Sequence, residues 1–175
     1  MTMQPLTAAE IRNCLANTSK GEAQRLTLPA PPEHLAWPDL DFLGWRDAKA
    51  PGRAYLVTPL GATVVGLALS ATVPPRSLMR SNMCGFCHTL HDAASIALFS
   101  ARLAGVAGRA GNTAGTYACT DLACSLYIRN LRKPFLPQPQ ETITAQERID
   151  RLRLKVTAFV TRVIEPDASG SRRAA

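Results

Sequence analysis

Apolar residues recur at spacings of three and four most clearly near the end of the chain. Ile149, Leu152, Val156, Phe159, Val160, Val163 and Ile164 would line one side, leaving Arg148, Arg151, Lys155 and Arg162 on the other. This is the stripe of an amphipathic helix. Thr144-Ala-Gln-Glu147 has the spacing of a capping box and Pro166 follows, so the pattern predicts a helix from about Ala145 to Ile164. The same capping signal, Thr7-Ala-Ala-Glu10, predicts a short helix near the other end, through about Asn17, with Ile11 and Leu15 inward.

Other segments follow different rules. Residues 18–52 hold Pro29, Pro31, Pro32, Pro38 and Pro51, too many for a regular element, and are expected to form a wrapped segment anchored by Leu35, Trp37, Phe42 and Trp45. Arg53 to Val57 and Thr63 to Thr72 are rich in Val, Leu, Tyr and Thr around Pro59-Leu60-Gly61, which predicts a β-hairpin closed by Pro74-Pro75. Ser95 to Arg102 and Thr113 to Tyr117 read as two further strands joined by the Gly-rich stretch Gly105 to Gly115, and Ser125 to Arg132 as a helix. Pro134, Pro137 and Pro139 mark a linker before the last helix, and Ala168 to Ala175 is expected to be disordered. No internal repeat is present.

At 175 residues, the chain suits one small domain with additions on either side. The boundaries expected are an N-terminal helix and proline-rich arm over 1–50, a hairpin plus cysteine-bearing domain with its terminal helix over 51–165, and a tail over 166–175. No apolar run reaches the roughly 18 residues of a membrane span, and Met1 to Thr7 lacks a secretory pattern, which together lead to the expectation of a cytoplasmic protein. The net charge of +7 is uneven. Residues 1–50 carry five basic and six acidic side chains, whereas Arg76, Arg80, Arg102, Arg109, Arg129, Arg132 and Lys133 face only Asp92 and Asp121 between 76 and 133. Such a surplus suits an anionic partner, RNA or an acidic protein surface, as well as a plainly solvated face.

The candidate chemistry lies in the cysteines. Cys84-Gly-Phe-Cys87 is a CxxC knuckle, and 31 residues after it begins Cys119-Thr-Asp-Leu-Ala-Cys124, at the start of the expected helix. Reduced cytosolic thiols in two tight pairs point to metal binding rather than disulfides. Four thiolates give a metal site formal charge −2, which the free N–H groups of a first helical turn help to neutralise. The order knuckle, hairpin, helix is that of a treble clef, so the fold class expected is α+β, a treble-clef zinc finger with an additional hairpin, a short N-terminal helix and a C-terminal helix.

With Cys84, Cys87, Cys119 and Cys124 all ligating, no position stays open and the zinc would be structural. Iron also accepts four thiolates. Neither pair sits in the βαβ pattern of a redox CxxC, and Cys84-x-x-Cys87-His88 as a haem attachment motif would leave Cys119 and Cys124 unexplained. His88 or His91 could replace a cysteine, but a surface or outer-shell histidine fits a complete cysteine set better. Cys14 reads as a small buried hydrophobe. No nucleophile elbow, P-loop, dinucleotide fingerprint or three-ligand zinc pattern is present, and among His34, His88 and His91 only His91-Asp92 neighbours a carboxylate, so no enzymatic activity or small-molecule substrate is expected.

The runs Cys84-Gly-Phe-Cys-His-Thr-Leu-His91, Phe99-Ser-Ala-Arg-Leu-Ala-Gly-Val-Ala-Gly-Arg109 and Tyr117-Ala-Cys-Thr-Asp-Leu-Ala-Cys-Ser-Leu-Tyr-Ile-Arg129 resemble the elongation factor G-binding protein C-terminal treble-clef zinc-finger family. The resemblance covers about residues 40 to 165. Its FusB-type members bind elongation factor G through this domain and promote its release from the ribosome. The resemblance therefore implies one zinc held by the four cysteines and a translation factor as partner, with direct ribosome or RNA binding by the basic face as the alternative. The first fifty residues depart from the helical bundle of the resistance proteins. For a partner surface, the basic and polar residues nearest the finger are the candidates: Arg102, Arg109, Asn112, Arg129, Arg132 and Lys133.

Overall fold

Helix starts follow the capping residues closely. In the computed structural model, which describes residues 2–72 and 81–166, Thr7 Oγ1 accepts from Glu10 N at 3.2 Å and the Glu10 carboxylate accepts from Thr7 N at 2.7 Å, opening α1 (Ala8–Asn13). The helix stops short of the expected Asn17 because β3 takes the backbone that would continue it: Gly66 N donates to Cys14 O and Ala16 N to Gly66 O, each at 2.9 Å. A Cβ at position 66 would lie 2.7 Å from the tip of the Leu15 side chain and 2.9 Å from Cys14 Sγ, so these side chains would have to shift to admit one.

The wrapped arm is more regular than its prolines suggest. Ser19 and Glu22 form a further capping box and open α2 (Lys20–Arg25), and two 3₁₀ turns cover Pro32–His34 and Trp37–Asp39. A four-residue strand, β1 (Leu43–Arg46), then joins the sheet. β2 (Arg53–Leu60) and β3 (Thr63–Ala71) form the expected hairpin, with a tighter turn at Gly61, φ 60°. Pro59 lies inside β2 rather than ending it. β1 pairs no further along β2 than Val57, so the missing N–H breaks no rung on that side.

β4 (Ser81–Met83) and β5 (Leu90–Asp92) form a small separate ribbon bracketing the knuckle. β6 (Ile96–Arg102), a short α3 (Gly105–Arg109) and β7 (Thr113–Cys119) form the second hairpin. The main sheet runs β1-β2-β3-β6-β7, antiparallel throughout, and among the described residues its two hairpins meet at two rungs, Ser70↔Ser100 and Ala71↔Phe99. α4 (Cys124–Ile128) and α5 (Ala145–Ile164) complete the chain. α4 is shorter than the expected Ser125–Arg132 because Asn130 turns left-handed, φ 57°, and Leu131 N reaches back to Leu126 O at 3.0 Å, a helix stop.

β2 is buried on both faces, and its alternation explains the three layers. Ala54 and Leu56 join Phe42, Phe99 and the α5 stripe of Leu152, Val156, Phe159, Val160 and Val163 on one side. Tyr55 and Val57 join Ile11, Trp37, Leu43 and Trp45 from the arm on the other. Arm and finger therefore share one sheet, to which the 1–50 segment contributes β1. The expected Pro74-Pro75 closure, Arg76, Arg80 and the tail at 167–175 lie outside the described residues. Among the described residues, no helix is long and apolar enough to cross a membrane.

The Gly-rich connection between β6 and β7 is tightly built. A Cβ on Gly108 would lie 1.7 Å from Leu103 O, a contact that no side chain makes without moving backbone. Gly108→Ala is expected to lower stability by about 1–3 kcal/mol through this overpacking, read as a fall in the urea midpoint with an unchanged slope. An unshifted midpoint would mean that the turn adapts freely.

Candidate metal centre

The four cysteines converge from three separate pieces of backbone. The knuckle presents Cys84 and Cys87, β7 ends on Cys119, and α4 begins with Cys124. Their sulfurs lie within 4.8 Å of one another, and all four residues are buried. Neighbouring sulfurs stand 3.6 Å (Cys87 to Cys119), 3.7 Å (Cys84 to Cys124) and 3.8 Å (Cys119 to Cys124) apart. These distances exclude a disulfide. They match the separation of about 3.8 Å between corners of a tetrahedron whose centre lies about 2.3 Å from each sulfur, the usual zinc–thiolate distance.

The backbone is shaped to serve these sulfurs. Cys84 Sγ accepts from Phe86 N at 3.4 Å and Cys87 N at 3.5 Å, the N–H fan that a CxxC turn provides. Gly85 N donates to Tyr117 O at 2.7 Å, clipping the knuckle onto β7, and His88 closes the turn at φ 60°. On the other side Leu122 adopts φ 53°, and Asp121 accepts from Ala123 N at 3.0 Å, which folds the segment between Cys119 and Cys124 into the start of α4.

Charge is handled unevenly among the thiols. Burial pushes the Cys84 thiol up, but hydrogen bonds from the other three cysteines and from the Cys87 N–H outweigh it and hold the group well below the usual thiol value. Burial and the neighbouring sulfurs push Cys124 far up. Ionising the buried sulfurs together calls for a divalent cation at their centre. Four converging sulfurs with no other donor among them fit one structural zinc ion. When bound, zinc supplies cross-linking and charge neutralisation. The residues that would hold it are the four cysteines.

His91, not His88, is the histidine that touches the cluster. It is 2% exposed, its Nε2 lies 3.3 Å from Cys119 Sγ, and its ring meets Tyr127 edge to face at 4.8 Å. Burial lowers its pKa, so the neutral ring can donate to the sulfur without adding a positive charge. Thr89, for which the sequence offered no signal, places its hydroxyl 3.2 Å from Cys87 Sγ. Asp92 accepts from Ser95 N and Oγ and is thereby committed to a turn. Cys14 is half-buried on α1, far in sequence from the cluster, with its thiol pKa pushed up to about 11 by burial.

The candidate partner residues separate in space. Arg102, Arg109, Asn112 and Lys133 are exposed, and Arg132 is partly exposed while paired with Asp121 at 2.6 Å. Arg129 is different. Its guanidinium turns inward onto Asp41, which is 1% exposed, with Nη2 at 3.1 Å from Oδ1, and Arg153 Nε reaches the same oxygen at 2.9 Å. Asp41 N donates to Ser125 Oγ at 3.0 Å, so the arm is locked to both α4 and α5. Arg129 is thus a structural ligand of the arm rather than a free surface charge.

Comparison with known proteins agrees with this architecture. The structure of the fusidic acid resistance protein FusC superposes with a TM-score of 0.51 at 18% identity, covering 75% of this chain and 56% of that one. At that identity the likeness speaks for the fold, and this chain spans little more than half of the FusC length. No curated protein matches. The description of the family that does match, over residues 10–163, is the FBP C-terminal treble-clef zinc-finger. That span takes in the knuckle, both hairpins, α4 and nearly all of α5, and the chain belongs to the FBP C-terminal treble-clef zinc-finger family.

Proposed function

We propose that this chain is a protein-binding zinc module that engages a translation factor of the elongation factor G type and modulates its interaction with the ribosome. The observation that carries the reading is the closed, buried four-sulfur cluster, which leaves no ligand position for chemistry and turns the finger into a scaffold for its own outer surface. That surface mixes charge with apolar area. Val106 is 73% exposed, Tyr117 60% and Phe135 85%, alongside Arg109, Asn112, Arg132 and Lys133. Exposed aromatic and apolar side chains on a chain that also exposes arginines suit a protein partner.

The commitment of His91 to a sulfur and of Asp92 to a turn supports a non-enzymatic role. The basic surplus keeps ribosomal RNA as the second reading, and both place the protein in the cytoplasm. A pull-down of the zinc-loaded protein against elongation factor G and against ribosomes, at about 150 mM salt where exposed charges are largely screened, separates them. Retention of the factor alone is the expected result, weakened by Arg109→Glu. Retention by ribosomes alone favours the RNA reading, and retention of neither removes both.

A further inference from the structure

Where the arm stops covering the sheet, a polar row replaces the apolar one. The rungs Arg53↔Ser70 and Ser70↔Ser100 set three side chains next to one another across β2, β3 and β6. Tyr55 and Arg102, each two residues further along its strand, share that face. Asn17 of the arm closes one end: its amide accepts from Ala68 N at 2.8 Å and donates to Ala68 O at 3.0 Å and Arg102 O at 3.1 Å. With Thr18 and Glu22 of the arm, these residues wall a cavity of about 190 Å³.

The cavity is rich in donors that lack acceptors. Neither the Arg53 nor the Arg102 guanidinium has a hydrogen-bond acceptor among the described residues, and no such partner is present for the hydroxyls of Ser70, Ser100 and Tyr55. Tyr55 is only 5% exposed, and burial and then the Asp47 carboxylate push its phenol up, with Arg53 on the cavity wall acting against them. The Tyr55 phenol thus lines the cavity beside Arg53 without a protein acceptor, so water or a ligand must accept from it. Glu22, the carboxylate on the rim, already accepts from Thr18, Ser19 and the Ser19 backbone. Two cations therefore share the cavity wall with one carboxylate, and all three of these bonds fall on its Oε2.

We propose that this cavity binds a phosphate group. The negatively charged non-bridging oxygens of a phosphate group can accept from two guanidiniums and several hydroxyls at once, and the forked guanidinium matches phosphate geometry. A free phosphate or nucleotide and the phosphate of an RNA backbone share this chemistry. The site lies on the arm-facing side of the sheet, away from the zinc cluster, and does not depend on what the finger binds. It also gives Arg102 a different task from the partner surface.

The test titrates the zinc-loaded full chain with inorganic phosphate and, separately, with a short single-stranded RNA, following heat and the backbone amide signals of Tyr55, Ser70 and Ser100. Saturable phosphate binding that shifts those three amides is expected. Arg53→Gln and Arg102→Gln should each weaken it about tenfold, as loss of a charge-assisted hydrogen bond does, and Arg109→Gln should leave it unchanged. Zinc content and melting temperature establish that each variant is folded, and Ser70→Ala repeats the test without touching a charge. RNA binding with the same arginine dependence, competed by free phosphate, assigns the polynucleotide backbone as source, whereas phosphate binding alone assigns a small ligand. If neither probe moves these amides, or the double arginine variant binds as tightly as the native chain, the proposal falls.

Discussion

Cys119→Ser is expected to release the metal and unfold the finger. Cys119 ends β7, and its sulfur approaches both Cys87 and Cys124 within 3.8 Å, so it joins the knuckle to α4 through the cluster. A serine hydroxyl is a poor zinc ligand, and the three remaining buried sulfurs would have to bind metal with one corner open or revert to thiols in an apolar setting. Structural zinc contributes an apparent 10–16 kcal/mol or so in small fingers, comparable to the whole stability of an ordinary domain of about 5–15 kcal/mol. Partial loss is therefore enough to unfold the segment. Metal content by elemental analysis and a thermal melt read the outcome together. One equivalent of zinc retained with an unchanged melt would refute the ligand assignment, and a chelator acting on the native protein should reproduce the variant's unfolding.

Asp41→Asn has the next largest expected effect. The Asp41 carboxylate is 1% exposed and is the counter-charge of both Arg129 and Arg153, which are 14% and 27% exposed at their side chains. The asparagine amide keeps the shape but removes the charge and turns one acceptor into a donor facing a guanidinium. Breaking a buried pair by removing one partner costs about 3–5 kcal/mol. Because both arginines retain some access to water, the lower end, about 3 kcal/mol, is expected. Urea unfolding followed by tryptophan fluorescence suits the measurement, since Trp37 and Trp45 are buried in the arm-side core. An unshifted midpoint would mean that the clamp contributes nothing to holding the arm.

Much of this architecture is visible in the residue pattern because its causes are local. The α5 bounds follow from Thr144, Glu147 and an uninterrupted apolar stripe, and the cysteine cluster from two short spacings. What escapes the pattern has causes elsewhere in the chain. β1 is four residues long and is a strand only because β2 lies beside it, and α1 ends early because β3 claims its next backbone groups. Asp41 looks like any surface carboxylate until residues 88 and 112 positions later close on it. α2 is different: Ser19 and Glu22 have the capping-box spacing, a local signal that stands in the sequence just ahead of the prolines. The polar cavity also escapes, since only the strand register brings Arg53, Ser70 and Ser100 together.

The Asp41 clamp also imposes a timetable. A ribosome adding about 5–20 residues per second places roughly 6–22 seconds between the synthesis of Asp41 and that of Arg153. The sulfur cluster needs only the chain up to Cys124, so zinc can be loaded before α5 exists, while the clamp must await Arg153. Until then Phe42 is without the α5 residues that complete its core, whereas Leu43 and Trp45 already have their arm-side partners once Tyr55 and Val57 are made. Metal supply therefore acts before the clamp closes, on a finger still attached to its ribosome.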